Sequence, residues 1–271
     1  MLKLIATDMD GTLLNDAKEM PENTFEIIDQ LHRRGIVFAV ASGRQHLSLQ
    51  KLYNEIKDDI MIVAGNGSII IDKGEIISIE TMNFKIVREI VETVEQLQMP
   101  NLKVIICGLR SDYMFEDNIT SVMPEYLVES HFPIRTIIKT LDDFPKDEQV
   151  LQISINDSEF NSQKNIYEQL KHLEGKCHIT VSGSEWVDII NAGVNKGTAI
   201  KKLQEMLDAD PVETMVFGDE LNDYEMMQQA YYSYAMENAV PKIKEVSNFT
   251  APSNEDAGVI KILENFLAIT K

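Results

Sequence analysis

The sequence has few cysteines, few cations and no long apolar run. Its two cysteines, Cys107 and Cys177, lie far apart with no partner spacing, which argues against both a zinc site and a disulfide framework. No apolar run approaches the ~20 residues that a membrane-spanning helix needs, so we expect no membrane partner. Acidic residues begin too early in "MLKLIATDMD" for a secretory signal peptide. These absences predict a cytoplasmic protein.

Positive charge is also scarce, because 25 Lys and Arg face 44 Asp and Glu and give a net charge of −19. Such a chain repels nucleic-acid phosphates and anionic membranes, so no nucleic-acid partner is expected. An anionic substrate would need a local positive site that acts against this field. The 271 residues, 44% of them apolar, suffice for one large domain or two smaller ones with a sizeable core.

Short apolar strands alternate with helical patterns in the first and last thirds of the chain. "KLIAT", "IVFAVA" and "IMIVAG" are strand-like, and helical patterns cover "PENTFEIIDQLHRRG" and about 45–56. The last third predicts helices at "GTAIKKLQEML" and "LNDYEMMQQA" and strands at "ETMVFGD" and "YYSYAM". Uniformly apolar strands between amphipathic helices predict an α/β fold with a parallel sheet covered on both faces.

The middle of the chain has a different pattern. A helix at "FKIVREIVETVEQLQ" precedes the segments "KVIICG", "DYMFED", "VLQISIN" and "HITVSG", which resemble antiparallel strands. This α+β pattern lies between two α/β portions. We therefore predict an inserted domain at 83–187 and a discontinuous core that joins 1–82 to 188–271.

Two carboxylates follow the first predicted strand, in "IATDMDGTLL". Asp8 and Asp10 are two residues apart, and such side chains share one face of an extended strand. Like charges so close repel each other unless a proton or a metal ion relieves the repulsion. The alternative is a polar strand end followed by an ordinary Asp-Gly turn.

Two further segments offer groups that suit an anion. In "AVASGRQ", Ser42 and Gly43 provide a hydroxyl and unobstructed backbone N–H groups before a helix, although Ser42 could simply cap that helix. In "GVNKGTAI", Lys196 opens a helix, where a cation is unfavourable unless an anion lies beside it. The alternative for Lys196 is a solvated side chain.

The segment "VFGDELNDYEMM" predicts a metal site. Asp219 ends a strand, and Asn222 and Asp223 follow at i+3 and i+4, so that all three can face one point. Oxygen ligands of this kind suit Mg²⁺. Acids are also favourable at any helix N-terminus, which is the alternative explanation.

All four segments lie at the carboxyl end of a predicted parallel strand or at the helix start after it, where open α/β sheets bind ligands. The four aspartates carry up to four negative charges, and a phosphate monoester adds nearly two more. Lys196 cannot offset this charge, so a divalent cation is needed for a phosphate ester to bind. The segments together predict a Mg²⁺-assisted site for a phosphate ester.

In this order the segments resemble the motifs of the haloacid dehalogenase superfamily of phosphotransferases. "DMDGTLL" matches its first motif, "ASGR" is similar to the second, "NKG" carries the lysine of the third, and "GDELND" matches the fourth. The insertion resembles the α+β cap of the Cof-type (class IIB) branch. The resemblance implies a doubly wound, Rossmann-like core, a mobile cap, Mg²⁺ and hydrolysis through an aspartyl-phosphate.

The resemblance also implies roles for individual residues. Asp8 would be the nucleophile and a metal ligand, and Asp10 the general acid/base, with its backbone carbonyl at the metal. Asp219 would bind Mg²⁺, with Asp223 as a further ligand or its support, and Lys196 would take part in catalysis. The residues that would hold the transferring phosphate are Ser42, Gly43, Arg44, Lys196 and Asn222.

One segment departs from the family pattern. Relatives often have a glycine-rich run where this chain has "AYYSYAMENA", with Tyr231, Tyr232 and Tyr234. The polar positions are unaffected, and the effect of these tyrosines on local packing is left open.

The function predicted from the sequence is a Mg²⁺-dependent phosphatase for small phosphorylated metabolites. Sugar phosphates and cofactor phosphates such as FMN or PLP are all candidate substrates, and the cap is expected to choose among them. The alternatives are a phosphosugar mutase and a non-catalytic sensor of phosphorylated metabolites. The sequence predicts neither the physiological substrate nor the oligomeric state.

Overall fold

The computed structural model describes residues 1–116 and 131–269. These residues contain fourteen strands, which in chain order are β1 (Leu4–Thr7), β2 (Val37–Ala41), β3 (Ile60–Ala64), β4 (Ile69–Asp72), β5 (Glu75–Ile79), β6 (Leu102–Gly108), β7 (Asp112–Phe115), β8 (Arg135–Ile138), β9 (Val150–Asp157), β10 (Cys177–Val181), β11 (Trp186–Asn191), β12 (Thr214–Gly218), β13 (Tyr232–Met236) and β14 (Phe249–Ala251). Their α-helices are α1 (Thr24–Arg33), α2 (His46–Leu52), α3 (Phe84–Gln96), α4 (Glu168–Leu170), α5 (Lys196–Leu207), α6 (Tyr224–Met227), α7 (Pro241–Val246) and α8 (Gly258–Ile269).

The larger sheet has the strand order β14-β13-β12-β1-β2-β3-β4-β5. The six strands from β14 to β3 are parallel, and Ile5 in central β1 lies opposite Met215 on one side and Phe38 on the other. Strands β12, β1, β2 and β3 are almost wholly buried because helices cover both faces, whereas the edge strand β14 exposes two of its three residues. The chain continues from β1 to one side as β2 and β3, and later returns on the other side as β12. The β1–β12 gap is therefore a topological switch point, where doubly wound sheets bind ligands.

Two antiparallel strands, β4 and β5, extend this sheet and were not predicted. They form a hairpin whose two turn residues, Lys73 and Gly74, have positive φ values of 49° and 78°. Paired positive φ values match the twist of a tight hairpin. The strand assignment was missed because "SIIIDKGEIISIE" lacks a strong turn dipeptide.

The smaller sheet has the order β10-β11-β9-β6-β7-β8, and all of its pairs are antiparallel except β7–β8. Alternation along β6 sends Val104 and Ile106 to one face and Ile105 and Cys107 to the other. Helix α3 packs its buried side chains on the face of Val104 and Ile106, which we call the outer face. The opposite, inner face lies toward the carboxyl ends of the larger sheet's parallel strands.

Strand β11 belongs wholly to the smaller sheet. Ile190 lies opposite Gln152 in β9, and Asn191 lies opposite Cys177 in β10. The predicted boundary between 187 and 188 therefore falls within a strand, and the chain returns to the larger sheet after Asn191. Apart from Asp188, residues 186–190 are apolar, so their pattern does not show which sheet the strand joins. The division into a core and an inserted domain otherwise stays a prediction.

Within the described ranges, no helix is long and apolar enough to cross a bilayer. The cytoplasmic location stays a prediction.

Candidate active site

A buried lysine joins two of the predicted site carboxylates. Lys196 is the first residue of α5, after its N-cap Asn195, and its side chain is fully buried. Its Nζ lies 2.6 Å from Asp8 Oδ1 and 2.7 Å from Asp223 Oδ1. Lys196 therefore opens a helix as predicted, and its burial contradicts the alternative of a solvated side chain.

Asp219 completes a cluster of three buried carboxylates. Ligand atoms of Asp8, Asp219 and Asp223 all lie within 4.8 Å of one another. Asp219 follows β12 and accepts a 2.6 Å hydrogen bond from Thr12 Oγ1. Asp223 Oδ2 accepts hydrogen bonds from the backbone N–H groups of residues 219 and 220, at 2.9 and 3.2 Å. Both oxygens of the Asp223 carboxylate therefore accept hydrogen bonds, Oδ1 from Lys196 and Oδ2 from the backbone.

The turn after β1 accommodates this cluster because it contains a glycine. Gly11 has a φ of +79°, and a Cβ at this position would lie 2.3 Å from Asp219 Oδ2. Any side chain at Gly11 would therefore combine backbone strain with a clash.

The cluster shifts the pKa values of its members. Burial raises the pKa of Asp8 to about 7, although the charge of Lys196 acts in the opposite direction. Burial and then the charges of Asp8 and Asp223 raise the pKa of Asp219 to about 8. Burial alone would lower the pKa of Lys196, but the charges of Asp223 and Asp8 outweigh it and raise that pKa. The site therefore holds more negative charge than its single ammonium group neutralises.

This donor set fits a divalent cation. Three buried carboxylates face one buried cation, and a bound Mg²⁺ would stabilise their charged forms against both burial and mutual repulsion. Carboxylate oxygens are the ligands that Mg²⁺ prefers. Asp8, Asp219 and Asp223 are the residues that could hold it.

Asp10 has a different set of partners. Arg44 Nε and an Arg44 terminal nitrogen donate to its two carboxylate oxygens, both at 2.7 Å, and Lys18 Nζ lies 3.0 Å away. Burial alone would raise the pKa of Asp10, but the Arg44 hydrogen bonds and charge hold it well below its usual range. Arg44, predicted to hold phosphate, thus contacts a carboxylate here.

Ser42 and Gly43 lie beside Asp8 at the cavity wall. Ser42 Oγ accepts a 3.1 Å hydrogen bond from the Arg44 N–H. Helix α2 is instead capped by Gln45, whose side-chain oxygen accepts from the Leu47 N–H at 2.6 Å. The alternative of Ser42 as a helix cap is therefore wrong.

Asn222 contacts a residue that the sequence did not suggest. Its Nδ2 donates to Asn66 Oδ1 at 3.0 Å, while its own buried Oδ1 accepts no hydrogen bond from the described residues. Asn66 follows β3, in "IMIVAGNG". A signal for it existed, because it is a polar residue just beyond the carboxyl end of a predicted strand.

A second buried carboxylate group, Asp188, joins the two sheets and was also missed. It lies on the inner face of β11, and Asn66 Nδ2 of the larger sheet's turn donates to its Oδ2 at 3.1 Å. Burial raises its pKa. Three further donors from the smaller sheet lie within 2.7–2.9 Å of its oxygens, namely Gln152, Ser154 and Ser182. The only hint in the sequence was an acid within an apolar strand.

A cavity of ≈ 260 Å³ lies between the two sheets. It is lined by Asp8, Ser42 and Asn222 and also by the inner-face residues Phe132 and Trp186. The sequence did not single out either aromatic residue.

The three tyrosines pack at the β13 side of the larger sheet. Tyr234 stacks on Phe217 and Phe249, with ring centroids 5.1 and 5.2 Å apart. Tyr231 meets Tyr232 edge-on at 5.1 Å. These rings therefore fill the space around the edge strand β14.

Comparison with known proteins identifies the family. Residues 5–263 match the family model of haloacid dehalogenase-like hydrolases. The chain belongs to this family. It is 31% identical over 276 residues to a 5-amino-6-(5-phospho-D-ribitylamino)uracil phosphatase, YbjI, of Escherichia coli (strain K12), a match that covers 98% of this chain and 96% of the relative.

Solved structures share the fold. SMU.1108c from Streptococcus mutans UA159 is similar with a TM-score of 0.89 and 28% identity, covering 99% of this chain and 100% of that one. The subclass IIB sugar phosphatase BT4131 has a TM-score of 0.77 and 20% identity, covering 97% and 98%. The predictions of the α/β fold class, of the haloacid dehalogenase family and of a hydrolase for phosphate monoesters are confirmed. The assignment to the Cof-type (class IIB) branch stays a prediction.

Proposed function

We propose that this haloacid dehalogenase-like hydrolase is a Mg²⁺-dependent phosphatase that hydrolyses a small phosphorylated metabolite through an aspartyl-phosphate on Asp8. The observation that carries the proposal is Lys196 Nζ, which lies between Asp8 and Asp223 beside Asp219. The switch point of the sheet thus brings together a nucleophile, a buried cation and a set of carboxylates that can bind a metal ion.

Mg²⁺ would be held by Asp8, Asp219 and Asp223, with the Asp10 carbonyl as a further candidate. When bound, the ion supplies positive charge that offsets these carboxylates and the phosphate oxygens.

Asp8 performs the first chemical step in this proposal. One carboxylate oxygen attacks phosphorus, the bond between phosphorus and the ester oxygen breaks, and the phosphoryl group is left on Asp8. Lys196 donates a hydrogen bond to Asp8 Oδ1 and neutralises part of the negative charge of the carboxylates. Ser42, Gly43 and Asn222 line the same cavity as Asp8 and would contact the phosphoryl oxygens.

Asp10 supplies the proton in this proposal. To act as an acid it must leave the ion pair with Arg44 and take up a proton. The planar guanidinium group of Arg44 can bind phosphate oxygens as well as carboxylates. An entering phosphate can therefore replace Asp10 as its partner. Asp10 then protonates the leaving oxygen, and in the second step accepts a proton from the water that attacks the aspartyl-phosphate.

The substrate is a small phosphate monoester, and sugar phosphates, FMN and PLP remain candidates. The E. coli relative's name adds 5-amino-6-(5-phospho-D-ribitylamino)uracil to them.

The test uses acetyl phosphate and p-nitrophenyl phosphate with the full-length protein, in Mg²⁺ and after exhaustive chelation. We expect released inorganic phosphate in Mg²⁺ only, and acid-stable phosphate on the protein that is lost in Asp8→Asn. With a sugar phosphate as the substrate, transfer of phosphate to another position of the sugar without release would establish the mutase instead. Binding of phosphorylated compounds without any turnover would establish the sensor.

A further inference from the structure

Asn66 has a backbone conformation that few side chains adopt. It lies in the turn after β3 with a φ of +52°, between Gly65 and Gly67, whose φ values are +54° and +107°. Asparagine tolerates the left-handed region better than most residues, but glycine adopts it at no steric cost. The backbone alone would therefore favour glycine at position 66, and the side chain of Asn66 calls for a separate explanation.

The amide of Asn66 joins the smaller sheet to a residue of the proposed phosphate site. Its Nδ2 donates to Asp188 Oδ2 at 3.1 Å, and its Oδ1 accepts from Asn222 Nδ2 at 3.0 Å. Asn66 and Asp188 are both buried, so water competes little for these bonds. A continuous path of two hydrogen bonds therefore runs from the inner face of β11 to the segment after β12.

The chemistry of Asp188 fixes the direction of both hydrogen bonds. An ionised carboxylate can only accept, whereas an amide both donates and accepts. The nitrogen of Asn66 must therefore face Asp188, which leaves its oxygen for Asn222. Asn222 must then turn its nitrogen toward Asn66, and the second hydrogen of that nitrogen remains for another acceptor. The oxygen of Asn222 has no hydrogen-bond donor among residues 1–116 and 131–269.

The turn that carries Asn66 also contacts the predicted phosphate loop. The Asn66 N–H donates to the Ser42 carbonyl at 3.0 Å, and the Gly65 N–H donates to the Arg44 carbonyl at 2.9 Å. Ser42 and Asn222 line the same cavity. The path of hydrogen bonds thus ends where the phosphoryl group is proposed to bind.

We propose that Asn66 is a positioning residue for the phosphate, because, held by Asp188, it orients the Asn222 amide so that an N–H of Asn222 faces the phosphoryl oxygens. The inference deepens the proposed phosphatase function and rests on the assignment of Asn222 to the phosphate. Without Asn66 or Asp188, the Asn222 amide can turn over and present its oxygen, which repels an anion. Asn66 acts through Asn222 and needs no contact with the substrate.

The test measures the Kd for inorganic phosphate by isothermal titration calorimetry, with the full-length protein in saturating Mg²⁺. Asn66→Gly removes the amide and suits the positive φ. We expect Asn66→Gly and Asn222→Ala each to raise the Kd by roughly 10-fold, because each costs one hydrogen bond to a charged ligand. The double variant should bind no more weakly than Asn222→Ala, because Asn66 acts through Asn222. The Mg²⁺ affinity should not change.

Asp188→Ala separates positioning from simple electrostatics. Removal of a buried negative charge near an anion site should by itself strengthen phosphate binding. Positioning through Asn66 predicts the opposite sign, a Kd that rises by roughly 3- to 10-fold. In the Asn66→Gly background, Asp188→Ala should not weaken binding further. This sign decides the question even if Asn66→Gly fails to fold.

Ser68→Ala is the matched control. Ser68 Oγ donates to the Leu151 carbonyl of β9 at 2.9 Å, which is another buried hydrogen bond between the two sheets and lies two residues from Asn66. It does not lead to Asn222, so its loss should leave the Kd for phosphate unchanged.

Three results would overturn the proposal: equal weakening by Ser68→Ala, additive effects of Asn66→Gly and Asn222→Ala, or tighter phosphate binding by Asp188→Ala. An unchanged Kd in Asn222→Ala would also overturn it, because the inference rests on that residue. Hydrolysis of acetyl phosphate by the wild type tests the chemistry separately. Its failure, with the binding results as expected, would refute the phosphatase function and leave the positioning role standing.

Discussion

The carboxylate cluster predicts that the metal-free protein loses stability as the pH rises. Asp8 and Asp219 have folded-state pKa values of about 7 and 8, against 3.8 for an unperturbed aspartate. Their stabilising contribution is complete below pH 3.8 and is lost as the pH rises through the folded values. The free energy of unfolding falls by about 1.4 kcal/mol per pH unit for each group in that window. Between pH 5.5 and 8.5 this amounts to roughly 2 kcal/mol for Asp8 and roughly 3 kcal/mol for Asp219.

Mg²⁺ should restore most of this loss, because it binds the deprotonated carboxylates and displaces their protons. The measurement is urea unfolding at pH 5.5, 7 and 8.5, in EDTA and in saturating Mg²⁺. Asp112, whose pKa burial raises to about 8, and His46, whose pKa burial lowers to about 4, also change stability with pH. Their contributions do not depend on the metal, so the difference between the two series removes them.

Asp219→Asn provides the sharpest check. The amide oxygen can still accept the hydrogen bond from Thr12, but one buried charge is removed. The variant should therefore be more stable than the wild type in EDTA at pH 8.5 and should gain little from Mg²⁺. Glu237→Gln, at an exposed carboxyl, is the control and should change neither value. A stabilisation by Mg²⁺ as large at pH 5.5 as at pH 8.5 would refute the reasoning.

Three further predictions concern the site. Asp8→Asn should abolish phosphoenzyme formation. Asp10→Asn should still form the phosphoenzyme from acetyl phosphate, but its turnover of unactivated esters should fall by ~10²–10⁴-fold. Identical rapid-quench bursts in the two variants would contradict separate roles. Lys196→Met should destabilise the metal-free protein by about 3–5 kcal/mol at pH 8, because it leaves buried carboxylates without their cation. A loss of less than about 1 kcal/mol in the free energy of denaturant unfolding would argue against the ion pairs. Asp188→Ala should raise KM for metabolites more than it lowers kcat, because Asn66 loses its partner on the smaller sheet, and an equal fall of kcat for acetyl phosphate would show damage to the core site instead.

The parts of the fold that the sequence predicted are those with strong local patterns. The strands β1, β2, β3 and β12 are short, uniformly apolar and flanked by amphipathic helices, so their burial in a parallel sheet follows from composition. Because such strands end at a common edge, Asp8, Ser42 and Asp219 could be expected to lie close together. The prediction that Lys196 follows a parallel strand is wrong, because the strand before it, β11, belongs to the smaller sheet.

The parts that the sequence did not predict depend on contacts between distant segments. The sequence around Arg44 does not indicate that its guanidinium group binds Asp10, because that pairing depends on the relative positions of two loops. Asp188 and Trp186 were missed because the rest of β11 is mostly apolar, and only its pairing with β9 and β10 assigns it to the smaller sheet. Hydrophobic periodicity cannot reveal such pairing.

The two connections between the sheets pass beside one turn of the core. Ser68 accepts a backbone hydrogen bond from Glu80 on the outgoing segment, and a Cβ on Gly67 would lie 2.6 Å from the Asn195 carbonyl on the returning segment. A segment that leaves and rejoins the larger sheet at two neighbouring points can be lengthened, trimmed or exchanged without shifting a strand of that sheet. Under the predicted division into a core and an inserted domain, such changes would alter the surface above the carboxylate cluster and leave the cluster itself intact.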